Sequence, residues 1–501
     1  MLFLIFSLCF KLFLLSFIFL LIYIFLTQII YIKLKLNHNS IYKNKNIKTV
    51  SFIHPFCSDC GGGEKVLWRM ITSLISYYDT KTTNINNQNL PKLKINIISG
   101  RKDDKQMLLN KLKTSFGIDL LKINNNNNIN INKLVLEVEL ISMESGYMLR
   151  PKNFLTMMLQ ILAQIYFAIE IITKVHSDVY CDTTGLPFTY FILKYLGHAK
   201  VTAYTHYPFI SKDMIYQIQN NKPGVHSRGN LNKNKFIKKL KILYYNFILK
   251  LYKIMGNQCL SFAYVNSTWT FNHMKETWDK LNKSNKLFIL YPPCSISLYR
   301  EAAKNNNRQN IIVSFSQFRP EKNQIMQIRI FAQLKKKLSI YPELEDLELH
   351  LIGGVRNEED QKVFDDLHVY AKQLGVDKYV KFIDNGTTEQ ITEEFSKAKI
   401  GIHTMIDEHF GITLIEMMAA GLIVVTHNSA GAKNDILKNE GEKPGFLVNN
   451  ENEYIVQIEE ILVRYDDIKG QIVNASMQRA EKFSDEAFKE KFLMQLKEFL
   501  I

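Results

Sequence analysis

The chain has 501 residues and a formal net charge of +15 at pH 7, and 47 % of its residues are hydrophobic. A chain of this length folds as two domains, each with a core of its own. Its six cysteines are too few and too scattered for a disulfide framework, which excludes a disulfide-stabilised secreted domain and favours a reducing compartment. The CxxC spacing of Cys57 and Cys60 has no second pair nearby, so it predicts no metal site.

The positive charge is concentrated in the first 300 residues. Residues 1–300 carry 38 Lys and Arg against 15 Asp and Glu, a net charge of +23, whereas residues 301–501 carry 25 against 33, a net charge of −8. A basic half of this kind suits an anionic membrane surface or a nucleic acid. The sequence has no zinc-finger, RNA-recognition or helix-turn-helix signature, so we expect a membrane and no nucleic acid as partner.

The N-terminus is predicted to hold the chain in a membrane. Residues 12–32 form an uncharged run of 21 residues, long enough to cross a hydrocarbon core of ~30 Å. A cleaved signal peptide is less favoured because no small-residue cleavage site follows this long run. One lysine precedes the run and five follow it closely, which places the body in the cytosol. We therefore predict a transmembrane anchor at residues 1–32 and a linker at residues 33–48.

From residue 49 onward, apolar runs of strand length alternate with helical periodicity. This alternation predicts parallel sheets covered by helices on both faces, hence an α/β fold class. A polar hinge at residues 304–308 divides the pattern into two Rossmann-like domains that face a cleft, residues 49–303 and 304–480. A charged helix at residues 481–501 is expected to follow. The predicted strands are at residues 49–55, 93–99, 179–182, 201–204, 263–266 and 288–290, and at residues 311–315, 347–352, 380–383, 400–403 and 422–426.

Two internal helices bear on the membrane. In Lys238–Ile254 the apolar residues fall on one helical face and lysines occupy much of the rest. This pattern is typical of an interfacial amphipathic helix, but an ordinary surface helix packed on the core explains it equally well. Phe154–Ile172 is nearly all apolar but includes Gln160, Gln164 and Glu170. There we expect a buried or interfacial helix rather than a membrane span.

The chemistry is expected to centre on residues 407–421. Glu408 and Glu416 lie eight positions apart, and Phe410, Gly411 and Ile412 between them form a turn that leads into a helix. This order places one carboxylate on the turn, the free N–H groups of a helix N-terminus beside it, and a second carboxylate in the first turns of the helix. Such a site suits a phosphorylated ligand with hydroxyls at both ends. A nucleotide sugar is a ligand of that kind.

Three more motifs follow predicted strands. The glycine run Gly61–Gly63 lies between a strand and a helix, where the backbone can approach a phosphate closely, although a tight turn also explains it. Arg319 and Lys322 follow the strand at 311–315 and are placed to pair with a diphosphate at its carboxyl end. His206 ends a strand of the first domain, where an imidazole can contact the transferred group or the acceptor.

Together these motifs resemble the retaining glycosyltransferases of the GT-B type, family 4. The Glu408–Glu416 pattern is the hallmark of that family, and the segments Gly61–Gly63, Tyr204–Pro208 and Gln317–Lys322 occur in the family's order. Within the family, the motifs are most similar to those of the α-1,2-mannosyltransferases of asparagine-linked glycosylation. Many family members have Arg where this chain has Gln317, so the resemblance implies that Arg319 supplies that charge.

The resemblance also implies an activity and a setting. The donor would be GDP-mannose, and the acceptor would be the dolichol-pyrophosphate-linked Man3GlcNAc2 oligosaccharide on the cytosolic face of the endoplasmic reticulum, which would receive its fourth and fifth mannoses. The N-terminal domain would face the acceptor and the membrane, and the C-terminal domain would bind the nucleotide sugar. Other glycosyltransferases of the pathway would be further partners. Neither a cofactor nor a metal ion is expected, because cations and a helix N-terminus neutralise the diphosphate.

By position, the resemblance assigns two residues to catalysis, His206 near the reacting carbon and Glu408 on the hydroxyls of the transferred mannose. Glu416 would bind the nucleotide ribose. The substrate-binding residues that it implies are Gly61, Gly62, Gly63, Arg319, Lys322, Phe410, Gly411, Ile412 and Glu416.

Two other functions stay open on the sequence. One is a family-4 transferase with another lipid acceptor, such as an enzyme that adds N-acetylglucosamine to phosphatidylinositol. The other is an inactive membrane scaffold within a glycosyltransferase complex. A nicotinamide oxidoreductase is disfavoured because the chain lacks the GxGxxG fingerprint.

Overall fold

The computed structural model describes residues 47–59, 61–84, 92–118, 136–150, 156–220, 235–438 and 440–500. The predicted anchor at residues 1–32, and all but the last two residues of the predicted linker, lie outside these ranges. Within them the fold is built on two parallel sheets with helices around them, as the predicted α/β class requires.

The first sheet has seven strands among the described residues, all parallel, in the order β3-β2-β1-β4-β5-β6-β7. Its central strands are buried on both faces, which explains their nearly continuous apolar sequences. The strands are β1 Ile47–Ile53, β2 Lys92–Ser99, β3 Leu136–Ser142, β4 Val179–Asp182, β5 Lys200–Thr205, β6 Leu260–Val265 and β7 Leu287–Ile289.

Helices cover this sheet, and short polar side chains cap several of them. Asp104, Ser211 and Ser267 each accept a hydrogen bond from a backbone N–H in the first turn of the helix that follows. The helices are α1 Gly62–Asn84, α2 Lys105–Phe116, α3 Thr156–Lys174, α4 Lys212–Gln219, α5 Lys235–Cys259, α6 Thr268–Thr277 and α7 Asp279–Lys283. The next helix, α8 Ile296–Ala303, packs in the core of the second half.

The second sheet has six strands in the described part of the chain, also parallel, in the order β10-β9-β8-β11-β12-β13. The strands are β8 Gln309–Phe315, β9 Glu348–Gly353, β10 Val380–Asp384, β11 Ala398–His403, β12 Ile423–His427 and β13 Phe446–Val448. The helices are α9 Gln324–Lys337, α10 Glu358–Gln373, α11 Thr388–Lys397, α12 Ile412–Ala419, α13 Glu451–Val463, α14 Tyr465–Glu481 and α15 Asp485–Leu500.

The last helix returns to the first sheet. α15 begins at Asp485, slightly later than the predicted start at residue 481. Phe488 and Phe492 of α15 are buried in the same core cluster as residues of β1 and β2. Asp485 also pairs with Arg69 of α1 at 2.6 Å. The C-terminal helix therefore belongs to the core of the first half and connects the two halves.

Two strands have no counterpart in the sequence analysis. β3 and β13 lie at the edges of their sheets, and the described residues of β3 are only partly buried. An edge strand buries little apolar surface, so it leaves a weak pattern in the sequence. β13 has only three residues, which is too short for any periodicity to be read.

By length and composition, one helix of the described chain, Met157–Lys174 within α3, is apolar enough to cross a membrane, and 50 % of that stretch is buried inside the protein. Ala163, Phe167 and Ile171 lie in the core of the first half. α3 thus packs one face on the core, in line with the buried or interfacial helix expected at residues 154–172.

Candidate active site

A cavity of about 670 Å³ lies between the two halves of the described chain, at the carboxyl ends of both sheets. The first half contributes the Gly61–Gly63 loop after β1 and His206 after β5, and the second half contributes residues that follow β8, β9 and β11. Ligands of open α/β sheets bind at this edge, and the volume lies within the ~300–1,000 Å³ of small-molecule sites.

The glycine loop opens α1, and a side chain of the same helix holds it. α1 begins at Gly62, so its first backbone N–H groups have no partner within the helix and face the cavity edge. The Gly61 N–H donates to Glu64 Oε2 at 2.6 Å, and Glu64 Oε1 lies 3.1 Å from His54 Nε2. Burial would raise the pKa of Glu64, but the hydrogen bonds from His54 and Gly61 lower it to about 2. Glu64 is thus ionised, and its hydrogen bond with the Gly61 N–H holds the loop in place.

His206 is held against the same network. Its Nε2–H donates to the backbone carbonyl of Thr183 at 3.1 Å, and the Thr183 hydroxyl lies 2.8 Å from His54 Nδ1. A Cβ atom added to Gly63 would lie 3.4 Å from His206 Nε2, so the ring packs directly on the loop. Burial and the neighbouring His54 lower the pKa of His206 to about 4. His206 is therefore a neutral imidazole at neutral pH.

This pKa has a consequence for stability. Between pH ~4 and ~6.5 the unfolded chain binds a proton on His206 that the folded chain does not, so this residue makes the free energy of unfolding rise with pH across that window. We expect His206→Gln to flatten that part of the stability curve, measured by urea unfolding at closely spaced pH values. A curve whose slope is the same in the variant and in the parent protein would contradict a neutral His206.

The Glu408 carboxylate contacts two side chains, the ammonium of Lys322 and the imidazole of His403. Its Oε2 lies 2.5 Å from Lys322 Nζ and 3.1 Å from His403 Nε2. Burial would raise the pKa of Glu408, but the charge of Lys322 and the hydrogen bond with His403 outweigh it and hold the pKa well below its usual range. His403 ends β11 and was given no role in the sequence analysis. The structure shows that it orients the first carboxylate.

The turn after Glu408 is built around one glycine. Gly411 has φ +105°, a left-handed conformation in which a Cβ atom would also lie 3.0 Å from Leu414. α12 begins at the next residue, Ile412, so the N–H groups at its start have no acceptor within the helix and can bind an anion. Phe410, Gly411 and Ile412 all line the cavity.

Glu416 is buried and is paired across the cleft. Its Oε1 lies 3.2 Å from Nζ of Lys65, which comes from the first turn of α1, and their side chains are 9 % and 7 % exposed. Burial raises the pKa of Glu416, and the charge of Lys65 offsets part of that rise. Lys65 was not named in the sequence analysis. Only the fold reveals this pair, since the two residues are 351 positions apart.

Arg319 is the one predicted site residue that the structure does not bring to the cavity. The cavity lining includes Lys322 but not Arg319, whose Nε lies 3.4 Å from Asp360. A different cation is there instead. Arg356, which follows β9, lines the cavity, and its guanidinium nitrogens lie 3.5 Å from the position of a Cβ atom on Gly61. Arg356 is therefore a second cation that lines the cavity beside Lys322.

Further contacts join the two halves beside the cavity. The Tyr207 ring of the first half stacks on the His409 ring of the second half, with centroids 4.4 Å apart. The Asp435 carboxylate accepts hydrogen bonds from the Thr268 N–H at 3.0 Å and from the Tyr291 hydroxyl at 2.9 Å. Among the described residues no group of three or more His, Cys, Asp or Glu side chains is arranged to hold a metal ion.

Solved structures share this architecture. The chain superposes on sucrose-phosphate synthase from Thermosynechococcus elongatus with a TM-score of 0.61 and 13 % identity, covering 90 % of this chain and 99 % of that one. A glycosyltransferase from Rickettsia africae gives a TM-score of 0.57 at 17 % identity, covering 91 % and 99 %. Residues 295–466 match the family model of glycosyl transferases group 1. The fold and the site thus define a GT-B-like glycosyltransferase.

The sequence of the first half identifies one family within this class of glycosyltransferases. Residues 47–278 match the family model described as the ALG11 mannosyltransferase N-terminus. The GDP-Man:Man(3)GlcNAc(2)-PP-Dol alpha-1,2-mannosyltransferase of Homo sapiens is 33 % identical over 457 residues, 90 % of this chain and 86 % of the human protein. The enzyme of the same name from Dictyostelium discoideum is 32 % identical over 455 residues, 90 % and 84 % of the two chains. The chain belongs to this family of mannosyltransferases.

Proposed function

We propose that this enzyme transfers mannose in α-1,2 linkage from GDP-mannose to dolichol-pyrophosphate-linked Man3GlcNAc2, adding the fourth and the fifth mannose of the N-glycan precursor in turn. The human and Dictyostelium relatives carry names that state this donor, acceptor and linkage. The observation that carries the proposal is the cavity, where Glu408 and Glu416 flank a free helix N-terminus and Lys322 stands beside them.

The donor would lie along the second sheet. Glu416 would bind the ribose hydroxyls, which requires it to exchange its contact with Lys65 for one with the ligand. The N–H groups of Gly411 and Ile412 would face the sugar and the diphosphate. Lys322 would neutralise the diphosphate from one side, and Arg356, rather than the predicted Arg319, from the side of the glycine loop.

The reaction would retain the configuration of the donor. The bond from the mannose C1 to the diphosphate breaks, the acceptor hydroxyl attacks C1 from the same face, and its proton passes to the departing phosphate oxygen. Charge grows on the diphosphate as that bond breaks, so preorganised cations near it stabilise the transition state. Glu408 would hold the mannose hydroxyls, and the neutral His206 would contact the sugar near C1. We propose that neither a metal ion nor another cofactor takes part.

The proposed setting is the cytosolic face of the endoplasmic reticulum, with a single span near the N-terminus. The support is the uncharged run at residues 12–32 and the lysines that follow it. The acceptor is itself a membrane lipid, so an anchored enzyme searches for it in two dimensions. Other enzymes of the same pathway would be its neighbours and partners there.

A transfer assay tests the proposal directly. Detergent-solubilised full-length protein is incubated with radiolabelled GDP-mannose, the dolichol-pyrophosphate trimannosyl acceptor and EDTA. We expect two successive mannose additions, and none with Glu416→Ala. UDP-N-acetylglucosamine in place of GDP-mannose should give no product.

Each other outcome has its own meaning. Activity that EDTA abolishes and added Mg²⁺ restores would overturn metal independence while leaving the donor and acceptor in place. Transfer only from UDP-N-acetylglucosamine would favour the enzyme with a different lipid acceptor. No transfer by folded protein, together with full complementation of a deficient cell by Glu416→Ala, would favour the scaffold.

A further inference from the structure

Helix α5 is anchored to the first half by one of its faces. Ile248, Tyr252 and Cys259 are buried in the core cluster of that half, and Tyr245 lies beside them at 8 % exposure. These positions recur at helical spacing, so they form one face of the helix. This face of α5 is therefore fully packed against the core of the first half.

The opposite side of α5 is also apolar and is exposed. Leu240, Leu243, Phe247 and Ile254 are 43 %, 67 %, 54 % and 41 % exposed, and they too recur at helical spacing. We call these four residues the outer stripe. It runs for about 21 Å along the helix. The alternative of an ordinary surface helix fails here, because such a helix turns its apolar residues to the core and its polar residues outward.

The charged residues of α5 all have the same sign. α5 contains six lysines and no Asp or Glu. Lys239 and Lys250 are exposed close to the outer stripe, and Lys253 pairs with Asp279 at its end. An apolar stripe with lysine flanks matches an anionic bilayer surface, where acyl chains receive the apolar side chains and lipid phosphates meet the lysines.

The topology places α5 next to the cleft. β5 and β6 are parallel, so a helix that connects them runs antiparallel to both strands. The first turns of α5 therefore lie toward the edge where β5 and β6 end. That edge carries His206 and Asn266, which both line the cavity. The outer stripe therefore starts near the mouth of the cleft.

We propose that the outer stripe of α5 docks on an anionic phospholipid bilayer and sets the cleft at the height of the acceptor's pyrophosphate. This contact is separate from the N-terminal span and deepens the proposed function, on which its relevance to the acceptor rests. The stripe enters the interface lying flat, at the boundary between headgroups and acyl chains.

The test uses full-length protein in proteoliposomes, in a background with Cys9→Ser and Cys60→Ser. The other cysteines, at 57, 181, 259 and 294, are buried. Leu243→Cys carries an environment-sensitive fluorophore, and Ile340→Cys, at a site 74 % exposed in the second half, is the matched control. We expect a blue shift and quenching by lipid-borne quenchers at 243 but not at 340. Both signals should grow when phosphatidylserine is added to phosphatidylcholine and weaken when Lys239 and Lys250 are both replaced by Gln.

Two results would overturn the docking. A label at 243 as exposed to water as the one at 340, in both lipid mixtures, would show that the stripe stays in solvent. A label that is blue-shifted but untouched by lipid quenchers would show that protein covers it, either another segment of this chain or a partner. Because the readout needs no mannosyl transfer, its failure is distinguishable from failure of the proposed function.

Discussion

Replacing Lys322 by Met is expected to lower kcat for mannosyl transfer by about a hundred- to a thousand-fold, with a much smaller change in the KM for GDP-mannose. Lys322 lies 2.5 Å from Glu408 and lines the cavity, so it is positioned both to orient that carboxylate and to meet the diphosphate. Its charge matters most when the leaving diphosphate gains negative charge, which is why the loss falls on kcat.

The matched control is Arg319→Met, since Arg319 lies three positions before Lys322 on the same loop. Arg319 pairs with Asp360 outside the cavity, so its replacement should leave kcat within a few-fold of the parent enzyme. Arg356→Met, by contrast, removes a cation that lines the cavity and should impair transfer. Initial rates at saturating acceptor, with thermal unfolding to check each variant, separate the three.

The opposite order of effects would exclude Arg356 as the second cation at the diphosphate. If Arg319→Met were as damaging as Lys322→Met while Arg356→Met were benign, the diphosphate would be bound by Arg319 and Lys322. A Lys322→Met enzyme with nearly full kcat would mean that the helix N-terminus and Arg356 suffice to stabilise the leaving group.

Arg319 and Lys322 show how far a sequence motif can predict the residues of a site. Sequence spacing put Arg319 and Lys322 on one loop after a strand, which the structure confirms. Which of them reaches the cavity depends on the turn at Pro320–Lys322 and on Asp360, which lies on α10 and draws Arg319 away. Arg356 follows a different strand, so only the sheet order, which sets β8 beside β9, brings it to the site.

The α/β class and most strands could be read from the chain because central parallel strands are apolar throughout and are bounded by polar loops. The helix start at Gly411–Ile412 could be read because its glycine and its carboxylates are local in sequence. Side-chain pairs that cross the cleft have no such local pattern in the sequence. Lys65 follows the glycine loop like any first-turn lysine, and nothing nearby indicates that it lies against Glu416.

That pair gives the second large effect, on stability. Replacing Glu416 by Met should destabilise the fold by roughly 3–5 kcal/mol, because it leaves the Lys65 ammonium buried without its partner. Adding Lys65→Met removes the buried charge as well. The double variant should recover most of the lost stability, since replacing a whole buried ion pair by apolar side chains of similar size is often neutral or even stabilising.

Activity should not follow stability across this series. Both Glu416→Met and the double variant lack the carboxylate proposed to bind the ribose, so both should be inactive although only the first is unstable. Chemical denaturation and the transfer assay, run on the same preparations, separate the two effects. If the double variant regained transfer together with stability, Glu416 would serve only to neutralise Lys65, and the ribose would have to be bound by another group in the cavity.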